Sequence, residues 1–304
     1  MKVYKELLTT VLREGEIHHN RTGSDTLSTF GQQVKIDMTE GFPLLTLRKL
    51  PFRWIAVELF WMLAGSTDAN ELAAHNVHTW DPWATEEKCK ERNRRQGDLG
   101  PTYGWLLRHF GGMYMPTQEQ RIYDRLSENK QQNGCDQLWQ LCCDMDTDPY
   151  SRRLMMSLFD PVSAWELDVP PCAPLIQIKI HDEYSMSLRV DMRSSDAFVG
   201  LAFDIAHFAL LLEMLAYCTV RRPRWLVLHI GDCHIYKKHL PLVEELMKRE
   251  PRPMPKLYIS KPMYHAIPSA PGQDNFVNML QLGYDHLSLV DYEPHPKMFP
   301  EVAV

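Results

Sequence analysis

The chain has 304 residues, is 44% hydrophobic and carries a formal net charge of −6. That length allows one large domain or two small ones, with apolar content enough for a substantial core. The acidic balance argues against a nucleic-acid polymer as partner, which needs a basic surface, and no apolar run reaches the ~20 residues that cross a membrane.

The opening MKVYKELL reads as an amphipathic helix over residues 1–15 and not as a signal peptide. RTGSDT (21–26) is a polar turn, and a strand with Val34 and Ile36 follows. A helix is expected from about Arg53 to Leu63, with Ile55, Leu59 and Met62 on one face. Glu58 lies within it, and spacing alone favours an exposed glutamate on the polar face. HTWDPWA (78–84) sets Trp80 and Trp83 three apart, either as core or as an aromatic wall for a flat ligand. Residues 86–95 are a charge-rich loop or helix. GDLGPTYG (97–104) is a glycine-rich turn, but it lacks the Lys-Ser/Thr of a phosphate loop. Residues 112–150 look polar and irregular, with a helix at 118–131. DPYSRR then precedes an apolar strand, Leu154–Phe159, and adjacent arginines on a strand would face opposite ways.

The stretch from Pro170 to Leu215 concentrates the chemistry. Cys172 sits among Pro171 and Pro174. Strands are expected over Leu175–Ile180 and Tyr184–Met192, the second alternating Met186, Leu188, Val190 and Met192 with polar residues. Arg193, Ser194, Ser195 and Asp196 come at its end. An apolar helix opens near Leu201 with Asp204 in its first turn. A strand Trp225–Asp232 follows, then a helix His234–Lys248 with His234 and Tyr236 at its start, and KLYIS as the final strand. No repeat, low-complexity segment or linker interrupts the chain, and a single α+β domain with an extended sheet is the simplest reading.

The seven cysteines fit a reduced, cytoplasmic setting. No C-x-x-C pair exists, so no metal site is expected. Cys172 is either a buried structural thiol or a nucleophile whose pKa nearby arginines lower. Arg21, Arg152, Arg153 and Arg193 are separately surface residues; converged, they would match phosphate oxygens two bonds at a time. The residues thus suit an enzyme acting on a nucleotide or sugar phosphate. The alternative is a phosphate-sensing or interaction domain in which Cys172 is core.

At these residues the sequence resembles the thymidylate synthase family. The ordered matches are RTG (21–23), FPLLTLRK (42–49 region), VELFWMLAGSTD (57–68), TWDPWA (79–84), GDLGPTYG (97–104), DPYSRR (148–153), PPC (170–172), MRSSDAFVGLAFDIA (192–206), GDCHIY (231–236) and YEPHP (292–296). The resemblance implies an α+β fold with a large mixed sheet packed by helices, and a homodimer through the sheet with shared active sites. It implies Cys172 as nucleophile at C6 of a pyrimidine nucleotide, with Glu58, Tyr103 and Asp204 as further catalytic groups. Arg21, Arg193 and Ser194 would hold the phosphate, Arg152 and Arg153 the phosphate of the partner subunit's site, and His234 and Tyr236 the sugar hydroxyl. Trp80, Trp83, Asp196, Gly200, Phe203 and Ala303 would line 5,10-methylenetetrahydrofolate.

Three positions depart from the family's thymidylate makers. Ala173 stands where they have His, Met192 where they have Gln, and Asp204 where they have Asn. An asparagine amide offers uracil one donor and one acceptor, whereas an aspartate accepts from the amino group of cytosine and repels O4 of uracil. Asp204 could instead be a helix N-cap. The Met192–Asp196 run also resembles phage deoxycytidylate hydroxymethylases. The expectation is therefore C5 one-carbon transfer to dCMP. The methyl product is favoured by Trp80, Trp83 and the Ala303-Val304 tail, and hydroxymethyl by Ala173 and Met192. The rivals are an ordinary thymidylate synthase and a catalytically dead, RNA-binding or regulatory relative.

Overall fold

The computed structural model describes residues 1–20, 23–114, 134–260 and 271–300. Its helices are α1 (Lys2–Glu14), α2 (Phe52–Leu63), α3 (Ala69–Ala73), α4 (Glu86–Glu91), α5 (Tyr103–His109), α6 (Gln137–Thr147), α7 (Gly200–Cys218), α8 (Leu240–Met247) and α9 (Gln273–Gln281). Its strands are β1 (Glu16–His18), β2 (Thr26–Asp37), β3 (Met155–Ser157), β4 (Leu175–Ile180), β5 (Ser185–Asp196), β6 (Arg222–Tyr236), β7 (Lys256–Ile259) and β8 (Leu287–Val290). The fold is mixed α+β. The helix expected at 118–131 lies outside the described residues.

The chain divides into two compact units. One is Met1–Ile55 with Ile178–Pro262 and Asp285–Val304, and the other is Ala56–Gln177 with Met263–Tyr284. The first unit is built on the sheet order β1-β2-β6-β5-β4. β2 and β6 run antiparallel from Thr26↔Tyr236 to Asp37↔Trp225. β5 and β6 run parallel from Ser185↔Arg222 to Asp196↔His234. Parallel neighbours need a long crossover, and α7 supplies it by packing on both strands. α7 is long and apolar enough to cross a membrane by length and composition, but 72% of that window is buried inside the protein, so it is a core helix. α1 covers β2 with Tyr4, Leu7, Leu8 and Val11, the i, i+3, i+4, i+7 stripe of an amphipathic helix. Buried Tyr4 donates to the Ala197 carbonyl at 2.8 Å, which ties α1 to the turn between β5 and α7.

In the second unit α6 packs against α5 and α9. Asp136 caps α6, its carboxylate accepting from the Trp139 N–H at 2.9 Å. β3 pairs antiparallel with the first residues of β4, from Met155↔Gln177 to Ser157↔Leu175.

Several sequence expectations need correction. His234 and Tyr236 do not open a helix. They end β6, because Asp232–Tyr236 finds partners in β2 and Asp232–His234 also in β5; the helix starts only at Leu240, with Pro241 in its first turn. β5 continues through Arg193–Asp196, polar residues recruited by the same pairing. β7 is not the last strand, since β8 pairs with it antiparallel. The strand at Leu154–Phe159 shrinks to Met155–Ser157, which leaves Arg152 and Arg153 in the preceding turn, both exposed.

Candidate active-site residues

In the second unit the nucleophile candidate is locked by its neighbours. Pro170 and Pro171 fix φ and carry no N–H. The Cys172 N–H donates to the Tyr103 hydroxyl at 2.7 Å. Tyr103 is the first residue of α5, and α5 lies close on the Gly65–Ser66 backbone. A Cβ at Gly104 would stand 2.2 Å from the Ser66 carbonyl oxygen, so only glycine permits the approach. The Tyr103 ring meets Trp80 edge-on, with centroids 6.3 Å apart. The Trp80 indole N–H donates a short hydrogen bond to a Glu58 carboxylate oxygen, and the Thr79 hydroxyl donates to the same oxygen at 3.4 Å. Cys172, Tyr103, Trp80 and Glu58 therefore form one contiguous chain of contacts.

Glu58 is not the exposed glutamate that spacing favours. Burial pushes its carboxyl up from 4.5 to about 7 and outweighs the two donors that pull it down. A carboxyl that titrates near neutrality is suited to proton transfer. Of the seven cysteines, five are buried, Cys135 is exposed and Cys172 is intermediate. Burial pushes Cys218 and Cys233 up to about 12, the state of inert core thiols. Trp80 is nearly buried, whereas Trp83 is half-exposed and meets it at 5.9 Å and 63°. Trp80 thus satisfies the core reading, and Trp83 remains partly exposed beside it.

In the first unit the polar tail of β5 lies beside the end of β6. Ser194 pairs with Asp232, Ser195 with Cys233 and Asp196 with His234. The strands approach closely at Arg193, since a Cβ on Gly231 would meet the Arg193 carbonyl oxygen at 2.7 Å. The Arg193 side chain is exposed and Ser194 is half-buried. His234 Nδ1 lies 2.7 Å from an Asp232 oxygen that also accepts from the Ser28 hydroxyl at 3.1 Å. These bonds, chiefly that of His234, hold the Asp232 carboxyl below its usual range. His234 and Tyr236 meet edge-on at 5.3 Å. Sequence reading missed Asp232 as the group that orients His234. The signal was available, because positions i and i+2 of a strand share a face.

Asp204 is not a helix cap. α7 begins at Gly200 with Val199 as its N-cap and no side-chain cap, and Asp196 closes the preceding turn, its carboxylate accepting from the N–H groups of Phe198 (3.0 Å) and Val199 (3.1 Å). Asp204 stands one turn further on, where its Oδ2 accepts from the Ser195 hydroxyl at 3.5 Å. The bare face of Gly200 has only Asp196 Cβ and Asp204 Oδ2 near, both at 3.9 Å from a Cβ position. Gly200, half-exposed Phe203 and Asp204 therefore share one stripe of α7. Arg21 and Ala303 lie outside the described residues, and among the described residues no group of three or more His, Cys, Asp or Glu is placed to hold a metal.

A thiol among prolines, a carboxyl pushed up to about 7 by burial and a pair of indole rings thus lie in one unit. The chain matches the family described as Thymidylate synthase over residues 2–304, and it belongs to that family. The family carries out folate-dependent C5 methyl transfer on a small-molecule nucleotide, with 5,10-methylenetetrahydrofolate as one-carbon donor.

Proposed function

We propose that the protein is a deoxycytidylate C5 one-carbon transferase whose leading product is 5-methyl-dCMP, and that residues 1–304 work as one catalytic domain. The observation that carries this reading is Asp204, released from capping and presented on the Gly200–Phe203 stripe of α7. Its carboxylate accepts from the cytosine amino group; on uracil it would face O4, two acceptors together. Leaving a buried polar group unpaired costs roughly 1–3 kcal/mol, enough to reverse base preference.

Cys172 adds through sulfur to C6 of the ring, which makes C5 nucleophilic. Tyr103 holds the Cys172 backbone, and Glu58 exchanges protons near pH 7. Arg21, Arg193 and Ser194 bind the phosphate, and His234 and Tyr236 the sugar hydroxyl, with Asp232 fixing the His234 ring. Trp80, Trp83, Asp196, Gly200, Phe203 and Ala303 line the folate, which supplies the one-carbon unit and, for a methyl product, the hydride. Arg152 and Arg153 serve the phosphate of the partner subunit's site in a homodimer, which their exposure in a turn allows.

Incubation with methylenetetrahydrofolate and either dCMP or dUMP is the direct test. Faster turnover of dUMP overturns the substrate assignment, and turnover of neither favours a non-catalytic relative. 5-Hydroxymethyl-dCMP is the second product reading, favoured by Ala173 in place of a bulkier residue beside Cys172. Mass spectrometry separates the products by one oxygen.

A further inference from the structure

Thr79 and Trp80 are neighbours in sequence, and both aim at one atom of Glu58. The Trp80 indole N–H donates a short bond to Oε1, and the Thr79 hydroxyl donates to the same Oε1 at 3.4 Å. Among the described residues no donor reaches the second oxygen, Oε2. One arm of this clamp is rigid. Trp80 is wedged among three rings, with centroids 6.3 Å from Trp61, 5.9 Å from Trp83 and 6.3 Å from Tyr103. Its indole N–H can only donate, whichever charge the glutamate carries. Thr79 is the looser arm, since its hydroxyl reaches further and the residue is half-buried.

The two carboxyl oxygens are therefore not equivalent. A proton on Oε1 would point at the Trp80 N–H, hydrogen against hydrogen. A proton on Oε2 meets no donor and leaves Oε1 as the carbonyl oxygen, whose two lone pairs serve the two donors. Burial pushes this carboxyl up to about 7, while Trp80 and then Thr79 pull it down, and no charged side chain is among the causes.

We propose that Glu58 carries its exchangeable proton on Oε2, and that Thr79 is a positioning residue which, with Trp80, reserves Oε1 as an acceptor. The relevance of this to turnover rests on the reading that Glu58 exchanges protons there. A donor to Oε1 favours the ionised carboxylate, so loss of the Thr79 hydroxyl should let Glu58 keep its proton to higher pH.

Infrared difference spectra between the parent and Glu58→Gln, recorded without nucleotide on either side of pH 7, isolate the C=O stretch of protonated Glu58. A carbonyl that accepts hydrogen bonds absorbs at lower frequency than a free one. The parent band should therefore lie low. Thr79→Val, which has the same shape and no donor, should raise its frequency and move its pH midpoint upward, and Thr79→Ser should return both. The limb of the kcat profile that follows Glu58 should move with the midpoint. A merely structural role would lower the melting temperature and leave band and midpoint in place. If the valine variant does not fold, Thr79→Ala is read by the same measurements. A free-carbonyl band in the parent overturns the Oε2 assignment. A low band that Thr79→Val leaves unmoved, in frequency or midpoint, overturns the role of Thr79. A moved midpoint with an unmoved kcat profile fails the proton-exchange reading instead, and the spectra, taken without nucleotide, do not depend on the choice between dCMP and dUMP.

Discussion

Asp204→Asn keeps the shape of the side chain and exchanges one acceptor oxygen for a donor. The variant should shift preference from dCMP towards dUMP by about 5- to 150-fold, the equivalent of one unpaired polar group of roughly 1–3 kcal/mol. Competition between the two nucleotides in one reaction reads this directly. Cys172→Ala should abolish turnover and leave nucleotide binding nearly intact, which equilibrium dialysis with dCMP measures. Glu58 links activity to stability. Below pH 4.5 it is protonated in both folded and unfolded chains. Between 4.5 and about 7 the folded protein holds a proton that the unfolded chain has lost, so stability falls as pH rises through that window and stays lowered above it. Glu58→Gln should flatten this slope in denaturant unfolding while lowering kcat by about 10²- to 10⁴-fold. None of this was legible from spacing, which favours an exposed place for a lone glutamate even though its neighbours one turn away, Trp54, Ile55, Trp61 and Met62, are apolar. The indole that donates to its carboxylate, Trp80, lies 22 positions away.

At the level of elements, α7 carries titratable groups of opposite tendency. Burial pushes Glu213 up to about 7 and His207 down to about 4. Glu213 therefore weakens the fold as pH rises from 4.5 to about 7. His207 weakens it as pH falls from 6.5 to about 4, where the unfolded chain takes up a proton that the folded one refuses. Glu213→Gln should raise stability at pH 8 and leave it unchanged at pH 4, as urea unfolding at the two pH values would show. Gly231→Ala should lower both the melting temperature and nucleotide affinity, because its Cβ pushes against the backbone at Arg193. Elements with strong periodicity were legible: α1, α2 and the apolar half of β5 lie where alternation or the 3.6-residue repeat puts them. α6 was not, although Leu138, Leu141, Cys142 and Met145 follow a helical stripe behind the Asp136 cap. Its polar residues masked the stripe. The polar ends of β5 and β6 were missed for another reason, since only pairing with other strands makes them extended.

For the whole molecule, the ordered motifs gave the family and the donor, and the family is shown over residues 2–304. The assembly is a prediction that mixing can check. Cys172→Ala and Arg153→Ala should each be inactive alone. Mixed and allowed to exchange subunits, they should recover part of the parent activity if each site draws an arginine from the partner. A light-scattering mass near 35.5 kDa for active protein would contradict the dimer.

Proline placement gives the reactive loop a built-in reporter. Between residues 170 and 174 only Cys172 and Ala173 have a backbone N–H, because the other three positions are proline. The first of these is held by Tyr103. Deuterium uptake by a peptide covering the loop therefore has two amides to count, and one of them exchanges only when the Tyr103 contact opens. Tyr103→Phe frees that amide without touching the thiol. The lifetime of the nucleophile's closed position can thus be timed by the slow exchange of a single proton, in protein that has never met a substrate.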